Sequence, residues 1–148
     1  MPLILASAEQ LRWERSCPRI LTSDTIWKLD AYRTSLFLIH VVRDDMRAVL
    51  AARPTETLVG QLIRAAGSVS ANIAEGYSRS TRVDRLRFFG YALGSARECV
   101  SWYQAIRDAI PNETLDARLV LIARIRALLL GLIRSQRTNT RPGGIFEG

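Results

Sequence analysis

Two carboxylates in the middle of the chain are the residues whose chemistry first needs an explanation. Glu75 lies in the run ANIAEGYSRS at 71–80, where an amide and a carboxylate stand among alanines, and Glu98 ends the run GSARE. A pair of carboxylates can act as general acid and general base, so Glu75 with Glu98 is one reading, as a catalytic pair. Nothing near them in sequence supplies a nucleophile, a second base or a set of metal ligands.

The structural reading of these carboxylates is the one we favour. Small residues dominate positions 65–74, so a helix there can approach a neighbouring helix closely. A buried arginine needs carboxylates, and a buried amide needs hydrogen-bonding partners. We therefore predict an internal polar network that fixes the register of the helices. Its predicted members are Arg64, Asn72, Glu75 and Glu98.

The sequence contains no set of residues that predicts another kind of enzymatic reaction. His40 is the only histidine, so the Glu-x-x-His pairs of di-iron bundles cannot form, and there is no glycine-rich phosphate loop. Cys17 and Cys99 give neither a CxxC motif nor a disulfide framework, which indicates reduced thiols in a cytoplasm. We expect a cytoplasmic protein that is not an enzyme and that holds no metal and no cofactor.

The charge of the chain indicates a different kind of function. The formal net charge is +7, and of the 21 basic residues only Lys28 is a lysine. Guanidinium groups bind phosphates bidentately, so RNA or DNA is the natural partner, with an inert basic surface as the alternative. Such contacts hold the phosphate backbone without reading sequence. The predicted phosphate ligands are Arg79, Arg82, Arg85, Arg87, Arg124, Arg134, Arg137 and Arg141.

Four helices and no strands are predicted as the elements that position these residues. Prolines and glycines divide the chain, and apolar residues recur between them at helical spacing. The predicted helices run from 22 to about 53, from 55 to 76, from 81 to 110 and from 113 to about 135. Short connections favour an all-α, up-down-up-down four-helix bundle over 22–135. We expect residues 1–21 to be a weakly structured lead and residues 136–148 to be a flexible tail.

The fourth predicted helix carries more apolar surface than a bundle core can cover. Its apolar side chains span about 200° of arc, about twice the stripe of an ordinary surface helix. We expect the excess to be hidden in a contact between subunits of a homo-oligomer. The most apolar window, 119–133, contains Arg124 and Arg126 and is therefore not a membrane span.

Three stretches carry a resemblance to a known family: QLIRAA at 61–66, SANIAEGY at 70–77 and GSARE at 94–98. Over residues 24–135 the chain resembles the small bacterial four-helix-bundle proteins encoded in intervening sequences of large-subunit ribosomal RNA genes. The accessory variability determinants of diversity-generating retroelements are relatives of that family. The resemblance implies a non-enzymatic, barrel-like homopentamer with a basic surface that binds nucleic acid. In the retroelement relatives, the implied partner is a reverse transcriptase with its template RNA.

Two functions of different class remain open at the level of sequence. In the first, a homo-oligomeric bundle binds RNA or DNA, as an accessory factor to a reverse transcriptase or by itself. In the second, a structural or adaptor oligomer binds a protein, and its arginines serve solubility and salt bridges. The salt dependence of binding to generic RNA distinguishes the two.

Overall fold

The computed structural model describes residues 5–138, which are helical apart from short connections. Two short helices come first, α1 over Ala8–Ser16 and α2 over Arg19–Thr22. Four long helices follow: α3 over Asp30–Ala52, α4 over Leu58–Ser78, α5 over Arg82–Ala105 and α6 over Asn112–Thr138. No strand occurs among residues 5–138, and the prediction of an all-helical chain is confirmed for them.

The four long helices form a bundle in which the direction alternates. Helix α3 packs on α4 and α6, and α5 packs on the same two helices. At one end, Arg82 Nη1 donates to the carbonyl of Gln136 at 3.5 Å, so the start of α5 lies beside the end of α6. At the other end, Arg53 after α3 pairs with Asp108 between α5 and α6 at 3.1 Å. These contacts give the up-down-up-down order that short connections predict.

The core is one continuous set of buried apolar side chains, with a seam from each long helix. Small residues form much of the seam between α4 and α5, and Ala66, Ala92 and Ala96 are fully buried there. The backbones of these two helices can therefore approach closely, as the small residues at 65–74 predict. The larger buried members of the four seams include Leu38, Val42, Met46, Leu62, Val69, Ile73, Tyr103, Ile122, Ile125 and Leu129.

Helix α1 corrects the expectation of a weakly structured lead. The hydroxyl of Ser7 caps this helix by accepting a hydrogen bond from the backbone N–H of Gln10 at 3.1 Å. Gln10 is only 1% exposed, and the ring of Trp13 packs on Phe37 of α3 with centroids 5.6 Å apart. A helix of 9 residues is marginal in isolation, so α1 depends on its packing against α3. The spacing of apolar residues along the sequence does not reveal that a short helix depends on packing of this kind.

The helix boundaries differ from the predicted ones mainly where 3₁₀ turns replace predicted helix. Residues Thr25–Lys28 form a 3₁₀ turn, so the first long helix begins at Asp30 rather than near 22. A second 3₁₀ turn, Arg107–Ala109, follows the end of α5 at Ala105. Helix α6 continues to Thr138, and the rest of the predicted tail, 139–148, lies outside the described residues. Within 5–138, no helix is long and apolar enough to cross a lipid bilayer.

Candidate nucleic-acid interface

Six of the predicted phosphate ligands lie at one end of the bundle, where α4 passes into α5 and α6 finishes. The contact of Arg82 with Gln136 places the first turn of α5 beside the last turns of α6. In the sequence these arginines form two groups about 50 residues apart, and the fold brings the two groups together. We call this region the basic end and define it by Arg79, Arg82, Arg85, Arg87, Arg134 and Arg137.

The charge of the basic end contrasts with that of the opposite end. Residues 24–33, 75–87 and 134–138, at the basic end, together contain seven arginines, one lysine and four carboxylates. Residues 44–56 and 105–118, at the other end of the same four helices, contain four arginines and six carboxylates. The described bundle is therefore positive at one end only, and a polyanion is attracted to that end.

Gly76 determines how closely α4 and α5 approach at the basic end. It is buried, and a Cβ added to it would lie 2.7 Å from Cε1 of Phe89 and 3.2 Å from Cβ of Phe88. The sequence suggested that Gly76 ends the helix, but α4 continues to Ser78. Position 76 therefore has no room for a side chain, because the ring of Phe89, which is 3% exposed, lies directly against it.

Thr81 and Asp84 cap the N-terminus of helix α5. The hydroxyl of Thr81 accepts from the backbone N–H of Asp84 at 3.2 Å and donates to the Asp84 carboxylate at 2.9 Å. Asp84 also forms an ion pair with Arg87 one turn later. The hydrogen bond from Thr81, followed by the one from Arg87, lowers the pKa of Asp84. The carboxylate is therefore ionised at neutral pH and holds the Arg87 side chain along the first turn of α5.

Arg79 and Arg87 approach the same aromatic ring from the two connected helices. The guanidinium carbon of Arg79 lies 4.8 Å from the ring centroid of Phe88, and that of Arg87 lies 5.9 Å from it. Arg79 also pairs with Glu75 at 2.5 Å, with both side chains about half exposed. Exposed ion pairs of this kind contribute about 0–1 kcal/mol to stability. A phosphate can therefore replace Glu75 as the partner of Arg79, or Asp84 as the partner of Arg87, at little cost.

Arg82 and Arg85 are less accessible and bind the protein's own backbone. Arg82 reaches the carbonyl of Gln136, and Arg85 Nε donates to the carbonyl of Arg79 at 2.7 Å. Both side chains are half-buried. Their main role in this structure is to fasten the α4–α5 connection and the end of α6, although their charge still adds to the local potential.

The arginines predicted on the fourth helix separate into three cases. Arg134 and Arg137 are exposed at the end of α6 and belong to the basic end. Arg141 lies outside the described residues. The contacts of Arg124 contradict its predicted role as a phosphate ligand. Its Nη1 donates to Thr34 Oγ1 at 2.5 Å and to Gln10 Oε1 at 3.2 Å. Burial lowers the pKa of Arg124, and its guanidinium joins α6 to α1 and α3 instead of facing a ligand.

The predicted internal network of Arg64, Asn72, Glu75 and Glu98 is wrong. Arg64, Glu75 and Glu98 are exposed, and the amide of Asn72 donates to the carbonyl of Ser68 in its own helix at 2.9 Å. The edge of α4 that carries Arg64, Asn72 and Glu75 faces away from the core, and Glu98 is exposed on α5. Their shared edge was readable from the spacing, but the direction of that edge depends on where α3 and α5 pack.

An internal polar network exists, but it is made of residues that the sequence reading did not single out. Asp45 of α3 accepts from Tyr103 at 2.7 Å and from Arg118 Nε and Nη2 at 2.7 and 3.0 Å. Burial, and after it the charge of Asp45, raises the pKa of Tyr103. Burial by itself would lower the pKa of Arg118, but the hydrogen bond with Asp45 and the charge of Asp45 together outweigh that effect, and the pKa is raised. A carboxylate within the apolar seam of α3 was the available signal.

The carboxylates considered as a catalytic pair lie on the surface of the bundle. Glu75 and Glu98 are both exposed. Burial, and after it the charge of Glu98, raises the pKa of Cys99 to about 12, so this thiol is protonated at neutral pH. Within residues 5–138, no group of three or more His, Cys, Asp or Glu side chains lies close enough together to hold a metal ion.

The fold and the charge distribution define a class: an all-helical protein whose four long helices form a bundle with one basic end. The chain belongs to the family of 23S rRNA-intervening sequence proteins, whose sequence pattern matches residues 28–131. The resemblance to proteins of ribosomal RNA intervening sequences is thereby confirmed. Helices α1 and α2 lie outside the matched range. No curated protein sequence matches the chain.

A solved structure has the same fold. The crystal structure, at 1.70 Å resolution, of a protein of unknown function from the S23 ribosomal protein family of Bacteroides thetaiotaomicron is similar to this chain, with a TM-score of 0.67. The two are 21% identical, and the match covers 70% of this chain and 98% of that chain. At this identity the similarity concerns the fold alone.

Proposed function

We propose that the protein is a non-enzymatic, cytoplasmic nucleic-acid-binding protein whose basic end contacts phosphates. The observation that carries the proposal is the convergence of six arginines from two separate stretches of the chain at one end of the bundle, where basic residues outnumber carboxylates by two to one. Such a surface attracts a polyanion and releases counterions when phosphates are neutralised. The binding we propose follows backbone shape and charge, since the arginines are assigned to phosphates.

The names of the family and of the structural relative favour RNA over DNA as the partner. The family is named for intervening sequences of 23S rRNA, and the structural relative is assigned to a ribosomal protein family. We extend the proposal to an accessory role beside a retroelement reverse transcriptase and its template RNA, on the resemblance carried by the stretches at 61–66, 70–77 and 94–98. A reverse-transcriptase gene next to the gene of this protein would support that extension.

The proposal includes self-association into a homo-oligomer, which the resemblance suggests is a pentamer. The structure of α6 supports self-association less strongly than the sequence of this helix does. Much of the apolar arc of α6 is covered by other helices of the same chain. Leu121 and Leu128 are half-buried against the core, whereas Val120 and Leu130 remain 56% and 37% exposed. In a symmetric ring, the basic end would recur once per subunit, and the repeated sites would act on one strand through effective concentration.

The test is a salt titration with a matched pair of double variants. Arg79→Gln/Arg87→Gln removes two half-exposed arginines of the basic end, each held in one surface ion pair. Arg47→Gln/Arg53→Gln removes two arginines from comparable pairs at the opposite end. The first variant should weaken RNA binding across all sequences and reduce the slope of log K against log salt by about 1–2, since each lost phosphate contact contributes about 0.7–0.9. The second variant should bind like the wild type.

Two results would count against nucleic-acid binding by the basic end. If the wild-type protein does not bind RNA or DNA at low salt, the protein is better described as a structural or adaptor oligomer with a protein partner. If both double variants lose affinity equally, the attraction is due to net charge and the basic end is not the site.

A further inference from the structure

Tyr91 is an exposed aromatic ring beside the basic end, on the outer surface of α5. Its side chain is 53% exposed, although a tyrosine usually packs most of its ring against the protein. It follows Arg87 by one helical turn, so the two side chains lie on the same side of α5. No feature of the described fold requires this ring to be in solvent.

Phe88 positions Tyr91 relative to the arginines. The rings of Phe88 and Tyr91 meet edge to face, with centroids 5.7 Å apart and an interplanar angle of 89°. The same Phe88 ring is approached by Arg79 and by Arg87. The neighbouring Phe89 is buried against Gly76, which anchors this turn of α5 on α4. Two cations and one exposed ring are thus arranged around a single anchored phenylalanine.

This arrangement fits one class of ligand, which offers flat aromatic faces and regularly spaced negative charges. An unpaired polynucleotide does so, because its bases can leave their stack and lie on a protein ring while its phosphates meet guanidinium groups. A duplex shields the faces of its bases within its own stack, so it can use the arginines but not the ring. An acidic peptide likewise uses the arginines without needing an exposed ring.

We infer that the surface formed by Arg79, Arg87, Phe88 and Tyr91 binds an unpaired stretch of RNA or DNA. One base stacks on Tyr91, and the flanking phosphates contact Arg79 and Arg87 in place of Glu75 and Asp84. This inference rests on the proposed function and narrows it from nucleic acid in general to single strands. Stacking tolerates every base, so it adds affinity without sequence preference.

The experiment compares Tyr91→Leu with Tyr91→Phe in the full chain. The probes are a 12-nucleotide oligo(U), the matching oligo(dT), and a 12-base-pair duplex, each followed by fluorescence anisotropy at low salt. We expect Tyr91→Leu to weaken binding of both single strands by about 5- to 100-fold and to leave duplex binding unchanged, because one stacked base is lost. Tyr91→Phe keeps a stacking ring and should bind like the wild type.

Two controls separate stacking from a loss of structure or charge. Val83→Ala changes a side chain on α5 that is 70% exposed and should alter no affinity. An oligonucleotide with one 2-aminopurine should lose fluorescence on binding to the wild type and to Tyr91→Phe, but not to Tyr91→Leu. The slope of log K against log salt should be the same for Tyr91→Leu as for the wild type, since no phosphate contact is removed.

The outcomes distinguish this inference from the function on which it rests. If the wild type binds single strands and duplex equally and Tyr91→Leu changes neither, the ring is not a stacking platform, while nucleic-acid binding stands. If no probe binds, both proposals fail. A stronger effect with oligo(U) than with oligo(dT) would assign the site to RNA, and an equal effect would assign it to single strands of either kind.

Discussion

Gly76 shows how one residue controls the geometry of the basic end. A methyl group there would lie 2.7 and 2.8 Å from two ring atoms of Phe89, and that ring is enclosed in the core. Gly76→Ala should therefore lower the free energy of unfolding by about 1–3 kcal/mol, the usual cost of overpacking a filled site. Urea denaturation measures the change.

Gly90 supplies the matched control for that substitution. A Cβ at Gly90 meets no heavy atom within 4 Å, and the residue lies inside α5. Gly90→Ala should raise the free energy of unfolding by about 0.5–1 kcal/mol, because alanine is the better helix former. Equal effects of the two substitutions would mean that α4 and α5 are farther apart than the structure shows.

Asp45 and Glu75 form a second contrast at the residue scale. Asp45→Asn should lower the free energy of unfolding by about 2–4 kcal/mol, because it leaves the half-buried Arg118 charge without its bidentate partner. Glu75→Ala should change it by less than about 0.5 kcal/mol, because Glu75 is exposed and paired only with Arg79 on the surface. Thermal or urea unfolding of the two variants measures both effects. A large loss with Glu75→Ala would restore the predicted internal network.

The difference between these two carboxylates explains what the sequence can and cannot predict about single residues. Spacing along α4 correctly places Asn72 and Glu75 on one edge, but it does not say whether the edge faces the core or solvent. At Asp45 the error has the opposite direction, because a carboxylate inside the bundle was not predicted to be there. Asp45 lies between Val42 and Val49 in an apolar seam, where its side chain is 8% exposed and contacts Tyr103 and Arg118. Partners 58 and 73 residues away along the chain decide that burial.

At the scale of elements, the long helices were predictable and α1 was not. Each long helix carries more than five turns of apolar periodicity and ends near a proline, a glycine or a cap, so local signals suffice. Helix α1 owes its place to tertiary contacts: Gln10 bonds to Thr34 at 3.1 Å, and Glu14 pairs with Arg33 at 3.4 Å. The hydrogen bond from Arg124 of α6 to Gln10 places α1 beside α6 as well.

Arg124 is the residue through which α1 and α6 are joined, and a substitution there tests this assignment. Arg124→Met keeps the aliphatic stem but removes the donor to Gln10 and Thr34, so both oxygens lose a buried partner. We expect the free energy of unfolding to fall by about 1–3 kcal/mol, while the affinity for RNA stays within about twofold of the wild type. Calorimetry and anisotropy on the same sample measure the two quantities. A loss of affinity without a loss of stability would return Arg124 to the set of phosphate ligands.

At the scale of the whole molecule, the polarity of the bundle comes from side chains. The alternating helices place two N-termini and two C-termini at each end, so the helix dipoles largely cancel between the ends. The excess of arginines at the basic end is therefore the main source of its positive potential. Sequence reasoning found these arginines because charge is read directly from residue types, but only the fold shows that 79–87 and 134–137 share one end.

Assembly of the whole molecule is the remaining prediction, and it determines how strongly the basic ends act together. We expect the protein to sediment as a homo-oligomer at micromolar concentration, because the resemblance implies a ring and the surface retains large exposed apolar side chains. Leu130→Gln changes an exposed apolar residue of α6 without adding a charge beside Arg134, and it should shift the protein to smaller species. Leu50→Gln, at a residue 39% exposed near the end of α3, is the control and should leave the mass unchanged.

Assembly should also be visible in the length dependence of binding. In an oligomer, a strand of about 60 nucleotides can reach several basic ends, and each further contact forms at an effective concentration near the millimolar range. The wild type should therefore bind the long strand at least about tenfold more tightly than a 12-nucleotide strand, beyond the gain from the number of sites. Leu130→Gln, which adds no charge near Arg134, should lose this gain while its affinity for the short strand stays the same, because its basic end is intact. Sedimentation at the mass of a single chain, together with no gain for the long strand, would show that each basic end acts alone.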